Sequence, residues 1–228
     1  MSKSGYSIYN KKAKAKTKIN PLETIYPPLP TNKKYDIIYA DPPWDYGGKM
    51  QFDKTSLKTE NADFQRDIFI SSAAFKYPTL KLDELFKLRV QDICSNDALL
   101  FLWVTGPQME NGLKLGKTWG FEYKTVAFVW DKMVHNPGRY TLSQTEFVLV
   151  FKKGRIPSPR GARNIRQLVT IHRTSHSKKP IEIIESISQM FPTQNKIELF
   201  ARNSYIDWDN WGLEIPNSDI IIETGSNI

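Results

Sequence analysis

The sequence predicts an α/β fold, in which a β-sheet is covered by helices. Short apolar runs bounded by turn residues alternate along the chain with segments whose apolar residues recur at helical spacing. The runs are apolar at nearly every position, which is typical of strands buried on both faces. With 228 residues, the chain is long enough for one domain with a sizeable core.

The first half of the predicted domain contains two strands and two helices. Residues 35–40 form an apolar run and are the first predicted strand. Apolar residues at helical spacing predict a helix within 80–93. A second apolar run predicts a strand at 98–104, and a helix follows at about 108–118.

The second half continues the alternation. Strands are predicted near 121–131 and 145–152, and a final core strand at 196–200. A helix is predicted to begin at Pro180, since the missing N–H of proline is not needed in a first helical turn.

The net charge of +8 is concentrated in two segments. Residues 1–18 contain six lysines and no acid, and residues 152–179 contain nine basic residues and no acid. The rest of the chain is net acidic. Concentrated basic segments on an acidic body indicate a polyanion binder, because neutralising phosphates releases counterions. For the first segment, a solvated tail is the alternative.

Several classes of protein are disfavoured by composition. No apolar run approaches the roughly 18 residues of a membrane-spanning helix, and the start of the chain is too polar for a secretory signal. The single cysteine, Cys94, falls in a helix-like stretch and is expected to be a buried thiol. These features favour a cytoplasmic location. No Cys/His cluster has metal-ligand spacing, so no metal is expected.

The most distinctive motif is Asp41-Pro42-Pro43-Trp44, directly after the first strand. The carboxyl end of a strand is where open α/β sheets place ligands. A carboxylate that accepts hydrogen bonds, two stiff prolines with acceptor carbonyls and an indole face suit a flat base carrying an amino group. A structural turn that caps the core is the alternative interpretation.

Five segments in the same order resemble the DPPW-motif adenine-N6 methyltransferases, the family of the mRNA adenosine methyltransferase catalytic subunit. The resemblance covers roughly residues 34–214. The local sequence Asn164-Ile165-Arg166-Gln167 is closer to the phage and bacterial branch than to the mRNA enzymes. The segments that carry it are Asp36 to Trp44, Phe101 to Thr105, Ser175 to Pro180, Ile197 to Arg202 and Trp208 to Gly212.

The resemblance implies a Rossmann-like methyltransferase fold in which the catalytic motif precedes the cofactor strand, with S-adenosylmethionine as donor. Asp41 and the Pro42 carbonyl would then hold the adenine amine, while Pro43 keeps the frame rigid and Trp44 stacks on the base. Such hydrogen bonds strengthen as positive charge develops on the nitrogen.

The resemblance also implies a cofactor site. Lys179 would lie near the methionine carboxylate, and Arg202, with Glu198, would hold the ribose; a solvated lysine and a surface ion pair are the respective alternatives. The full predicted cofactor set is Asp41, Lys179, Glu198, Arg202, Asn203 and Ser204.

The expected substrate is DNA, whose target adenine is flipped into the pocket while basic side chains hold phosphates. An RNA adenosine methyltransferase, an inactive nucleic-acid-binding subunit and a binding module without cofactor are the alternatives. The predicted phosphate contacts are Lys153, Arg155, Arg160, Arg163, Arg166 and Arg173.

Three regions are expected along the chain: a basic arm with an extended lead-in at 1–30, the methyltransferase domain at 31–215, and a tail at 216–228.

Overall fold

A seven-stranded β-sheet forms the centre of the protein in the computed structural model. The structure describes residues 29, 32–46, 79–136, 140–174, 178–213 and 215. The strands are β1 (Tyr35–Ala40), β2 (Cys94–Thr105), β3 (Glu122–Asn136), β4 (Ser143–Lys153), β5 (Leu168–Thr170), β6 (Lys196–Leu199) and β7 (Asp209–Trp211). The helices are α1 (Leu82–Phe86), α2 (Met109–Thr118) and α3 (Ile181–Met190), with 3₁₀ turns at Val90–Ile93 and Gly106–Gln108.

The strand order is β5-β3-β4-β2-β1-β6-β7. β1 pairs in parallel with β2 and with β6, whereas β4 is antiparallel to both β2 and β3. After β1 the chain continues to β2, which lies next to β1 on one flank, and it later returns as β6 on the opposite flank of β1. The carboxyl end of β1 is therefore the switch point at which Rossmann-like sheets bind ligands. We call the edge where β1, β2 and β6 end the carboxyl edge, and the other the amino edge.

Hydrophobic cores cover both faces of the sheet, because alternate strand residues point to opposite sides. Ile38 belongs to the core that contains Leu85 and Trp119 from the region of α1 and α2. Ile37 belongs to the core that contains Ile184 of α3. The predicted α/β class, with strands buried on both faces, is confirmed.

Most predicted elements are confirmed, with small shifts at their ends. The helix predicted within 80–93 is confirmed but is shorter than that window, because α1 ends at Phe86 and a 3₁₀ turn follows at Val90–Ile93. Cys94 opens β2 rather than lying in a helix, and its Sγ donates to the Val90 carbonyl at 2.9 Å. Burial raises the pKa of this thiol to about 12.

Two predicted regions lie outside the described residues, namely the tail at 216–228 and nearly all of the arm and lead-in at 1–30. Among the helices that the structure describes, none is long and apolar enough to cross a membrane.

Candidate active site

The Asp41-Pro42-Pro43-Trp44 segment is fixed between β1 and α1. The Asp41 amide donates to the Leu199 carbonyl at 3.4 Å, which keeps the residue beside β6 at the switch point. The Leu80 amide donates to the Pro43 carbonyl at 2.8 Å, and the Asp45 amide donates to the Leu80 carbonyl at 3.2 Å. The prolines contribute no N–H to these contacts, and their fixed φ limits the paths available to the chain. The motif therefore has one defined course across the carboxyl edge.

Trp44 is anchored in the core. Its side chain is only 5% exposed, and its Nε1 donates to the Trp103 carbonyl at 3.2 Å. The Trp44 amide donates to the Pro42 carbonyl at 2.8 Å, which occupies one acceptor position of that oxygen. Tyr46 is 47% exposed, and its hydroxyl lies 3.0 Å from Thr105 Oγ1. Of the two aromatic rings, Tyr46 offers the larger surface for stacking.

A chain of four alternating charges connects Asp41 to the interior. Asp41 Oδ2 lies 3.0 Å from Lys179 Nζ, which is 3.2 Å from Glu146 Oε2. Glu146 Oε1 in turn lies 3.2 Å from Lys132 Nζ. Lys179 Nζ also sits 4.9 Å from the centre of the Trp103 ring, within the range of a cation–π contact. We call Asp41, Lys179, Glu146 and Lys132 the charge chain.

The ion pairs of the charge chain favour the ionised forms of Lys179 and Glu146 despite their burial. Burial alone would lower the pKa of Lys179, but the carboxylates of Asp41 and Glu146 outweigh it and raise that pKa. Burial likewise opposes ionisation of Glu146, yet Lys179 and Lys132 together hold its pKa below the usual value. The ammonium of Lys179 is thus committed to two carboxylates. Lys179 is thus a counterion of Asp41 and Glu146, and its predicted contact with the methionine carboxylate stays a prediction.

A cavity of about 230 Å³ opens beside Asp41. Its lining includes five of the six predicted cofactor residues, and Ser204 is the one that does not take part. The lining residues are Tyr39, Asp41, Lys178, Lys179, Pro180, Ile184, Glu198, Phe200, Arg202, Asn203 and Tyr205.

Glu198 is the buried carboxyl of this cavity. It is 8% exposed, and its Oε2 has no hydrogen-bond partner among the described residues. Burial, followed by the charge of Asp41, raises the pKa of Glu198 to about 8, although Arg202 and Lys179 act in the opposite direction. Its burial excludes the alternative of a surface ion pair. A buried acceptor without a partner is suited to a ligand that brings a hydroxyl or amine.

The structure divides the predicted phosphate contacts between the two edges of the sheet. Lys153 pairs with Ala98 at the amino edge, about 23 Å along β2 from Thr105. Arg155 is bonded there to Asp97, with 3.1 Å between Nε and Oδ2. Arg160 also lies towards this edge, with its guanidinium 5.3 Å from the centre of the Phe191 ring at the end of α3.

The later basic residues approach the carboxyl edge. Arg163 and Arg166 are exposed on the connection that leads into β5. Arg173 donates from its amide to the Lys132 carbonyl at 3.0 Å and from Nη1 to Asn136 Oδ1 at 3.3 Å. Arg173 is therefore the predicted phosphate contact nearest to the charge chain.

Sequence reasoning missed two members of the site, Glu146 and Lys132. Glu146 lies on a predicted strand and Lys132 directly after one, and a charged residue at such a position normally faces solvent. The register that pairs β3 with β4 brings them together. A lysine and a glutamate at inward positions of adjacent strands are the signal that would have indicated them.

A Rossmann-like sheet with a charged cavity at its switch point is the arrangement of α/β enzymes that bind nucleoside-bearing cofactors. The family model described as MT-A70 matches residues 35–214. The chain therefore belongs to the MT-A70 family, which confirms the predicted resemblance.

Relatives of this chain fall into two groups. The chain is 69% identical over 223 residues to the Type II methyltransferase M.MunI of a Mycoplasma species, covering 98% of this chain and 95% of that protein. It is 27% identical to the N(6)-adenosine-methyltransferase MT-A70-like protein of Arabidopsis thaliana and 28% identical to the human N(6)-adenosine-methyltransferase catalytic subunit METTL3. It spans 25% and 30% of their lengths, respectively. The chain is a methyltransferase of the bacterial branch of this family.

Proposed function

We propose that this chain transfers a methyl group from S-adenosylmethionine to the exocyclic amine of an adenine in DNA. One observation carries the proposal. The Asp41 carboxylate stands at the switch point, 3.0 Å from the Lys179 ammonium, and borders a cavity that contains the buried Glu198 carboxyl. The site thus joins an acceptor for an amine to a compartment for a polar cofactor.

The residues of the cavity fit S-adenosylmethionine. The partnerless Oε2 of Glu198 would accept hydrogen bonds from ribose hydroxyls, with Arg202 and Asn203 beside it. Lys178 is exposed, lines the same cavity and is the cation best placed for the methionine carboxylate, because Lys179 is committed to the charge chain. When bound, the sulfonium supplies an activated methyl group.

Asp41 would orient the nucleophile. The lone pair of the adenine amine is delocalised into the ring, so hydrogen bonds from its N–H groups to Asp41 and the Pro42 carbonyl would help to aim it. Transfer of the methyl group from the cofactor sulfur to the amine would make the nitrogen positive, and the Asp41 carboxylate would stabilise that charge. The extra proton of the amine then passes to Asp41 or to solvent.

The charge chain would hold the Asp41 carboxylate in place. Lys179 holds Oδ2, which leaves Oδ1 as the oxygen that would accept from the incoming amine. Glu146 shares the same ammonium, which prevents Lys179 from fully neutralising Asp41. Tyr46, with Trp44 behind it, supplies an aromatic surface on which the base would be positioned.

DNA is favoured as the substrate because the relative described as a Type II methyltransferase is far more similar to this chain than the N(6)-adenosine methyltransferases are. Arg173 offers a phosphate contact at the carboxyl edge, with Arg163 and Arg166 along the path to it. Genomic DNA as substrate would place the enzyme in the cytoplasm, as the sequence predicts.

The test is methylation of matched DNA and RNA oligonucleotides, single- and double-stranded, with labelled S-adenosylmethionine, followed by mapping of the modified base. We expect N6-methyladenine in DNA. Preferential labelling of RNA, or of cytosine, would contradict the proposal.

A further inference from the structure

The hairpin between β3 and β4 extends beyond the carboxyl edge. Thr105, the last residue of β2, pairs with Glu146, so the start of β4 and the facing end of β3 continue past it. Three apolar side chains are exposed there: Met133 at 53%, Tyr140 at 93% and Leu142 at 65%. We call these three residues the hairpin tip. Grouped apolar side chains on a projecting element typically mark a contact surface.

The root of the hairpin is braced. Asp131 Oδ1 accepts from the Met133 amide at 2.9 Å and from Gln144 Nε2 at 2.6 Å, which joins the two strands. Asn136 Oδ1 accepts from Arg173 on the neighbouring segment at 3.3 Å. These contacts hold the base of the hairpin in one position relative to the sheet.

The hairpin tip is within reach of the reacting base. Leu142 precedes Glu146 by four residues, a span of about 13 Å along β4. Glu146 is linked through Lys179 to Asp41, with 3.2 and 3.0 Å between the charged atoms. Aromatic and aliphatic side chains therefore project just beyond the site at which the adenine amine would be held.

The charge of the hairpin favours an anionic partner. The sequence contains no acidic residue from 132 to 145, although the chain carries 24 acids in all. Arg173 stands at the root, and His135 lies on the hairpin itself. A surface that combines exposed apolar side chains with an excess of cations suits a nucleic acid, whose bases stack and whose phosphates are negative.

We propose that the hairpin tip enters the DNA base stack and fills the space left by the target adenine, with Tyr140 and Leu142 as the inserted side chains. This inference rests on the proposed DNA substrate. Extruding a base from a duplex costs unstacking and unpairing energy. Inserted apolar side chains offset that cost, because they restore contacts on the faces of the neighbouring bases.

The experiment compares single-turnover methylation of two duplexes that contain the mapped target adenine. In one duplex the adenine is paired with thymine, and in the other it faces an abasic site, where extrusion costs less. We expect Tyr140→Ala to slow methylation of the paired duplex on the order of tenfold or more, and to slow that of the abasic duplex much less. Tyr140→Phe should remain near wild type, because the ring and not the hydroxyl is needed.

Leu142→Ala and Leu168→Ala form a matched pair, since their leucines are 65% and 61% exposed but only Leu142 belongs to the hairpin tip. We expect Leu142→Ala to slow methylation of the paired duplex and Leu168→Ala to leave that rate unchanged. Equal slowing of both duplexes, or wild-type rates in Tyr140→Ala, overturns the insertion. The insertion is also overturned if these variants change only the sedimentation of the protein, which would assign the tip to a contact between copies. A wild-type enzyme inactive on every DNA would contradict the substrate itself, and the insertion with it.

Discussion

Two residues of β6 show that a buried ionisable side chain has different surroundings at the two edges of the sheet. Lys196, at the amino edge, is 4% exposed, and its ammonium donates to the carbonyls of Phe191, Pro192 and Gln194 at 2.9–3.5 Å. Glu198, near the carboxyl edge, is 8% exposed, yet its Oε2 has no partner among the described residues. The lysine is satisfied by the protein and closes the end of α3. The glutamate has a buried acceptor at the cavity, which is what the proposed cofactor site requires.

The same contrast holds for ion pairs. At the amino edge, Asp97 and Arg155 form an exposed pair, and such pairs contribute little to stability. At the carboxyl edge, Asp41, Lys179 and Glu146 form a largely buried series that contacts the cavity. Buried charges are costly to assemble and are more often kept for chemistry than for stability. The predictions below test this difference between the edges.

The largest effect is expected from Asp41→Asn. The substitution keeps the size of the side chain but removes the negative charge that stabilises the developing cation. We expect kcat to fall by about 10²–10³-fold, as for loss of one preorganised electrostatic contact. Stabilisation by S-adenosylmethionine in a thermal-shift assay should survive in part. Turnover near that of the wild type would contradict the role of Asp41.

Glu146→Gln should cause the next largest effect, on folding. It leaves Lys132, which is 2% exposed, without its carboxylate. Breaking a buried ion pair from one side costs about 3–5 kcal/mol. The free energy of unfolding in urea measures this loss. Glu110→Gln is the control, because Glu110 also pairs with a lysine but is exposed on α2, and its stability should not change measurably. If the two variants were equally stable, the buried ion pair of Glu146 would contribute no more to stability than the exposed ion pair of Glu110.

Glu198 should make the stability of the ligand-free protein depend on pH. Its pKa is about 8 in the folded chain, against an ordinary value of 4.5, so the folded state binds the extra proton between these values. Its contribution is therefore full below about pH 4.5 and is lost as the pH rises through 8. Relative to Glu198→Gln, which stays neutral, the wild type should lose about 1.4 kcal/mol of stability for each pH unit within that window. Unfolding curves of the two proteins at several pH values test this, and parallel pH profiles would exclude a protonated Glu198.

The sequence predicted five of the seven strands and the position of Asp41, because apolar runs and turn residues are local signals. It did not predict β5 and β7, which are only three residues long and have no such run. It did not predict Glu146 or Lys132 as site residues, since their meeting depends on the register of β3 with β4. The stacking of Trp44 on a base stays a prediction, but the hydrogen bond from its indole N–H to the Trp103 carbonyl was not predicted. That contact joins residues far apart in sequence, so composition and spacing carry no trace of it.

The basic stretch at 152–179 is a second feature whose position in the fold the sequence could not predict. Residues 152–179 form one cationic segment in the sequence, and the predicted phosphate contacts were drawn from all of it. The chain in this region begins at the amino edge with Lys153 and reaches the carboxyl edge only at Arg173. Charge along a sequence does not say which edge of the sheet each side chain will occupy.

The smallest expected effect separates these arginines. Arg173→Gln should weaken DNA binding and reduce the slope of log Kd against log salt by about one, since one phosphate contact is lost. Arg155→Gln is the matched control, because Arg155 is exposed and bonded to Asp97 at the far edge, and its affinity and slope should equal those of the wild type. Fluorescence anisotropy with a labelled duplex over a series of salt concentrations measures both.

Equal losses of DNA affinity in Arg173→Gln and Arg155→Gln would mean that DNA contacts both edges of the sheet. The bound duplex would then have to wrap around the side formed by β3 and β5. A loss of DNA affinity in Arg155→Gln alone would place the DNA away from Asp41. An effect confined to Arg173 instead orients the duplex across the carboxyl edge, with the β3–β4 hairpin beside it, which is the arrangement that base extrusion towards Asp41 requires.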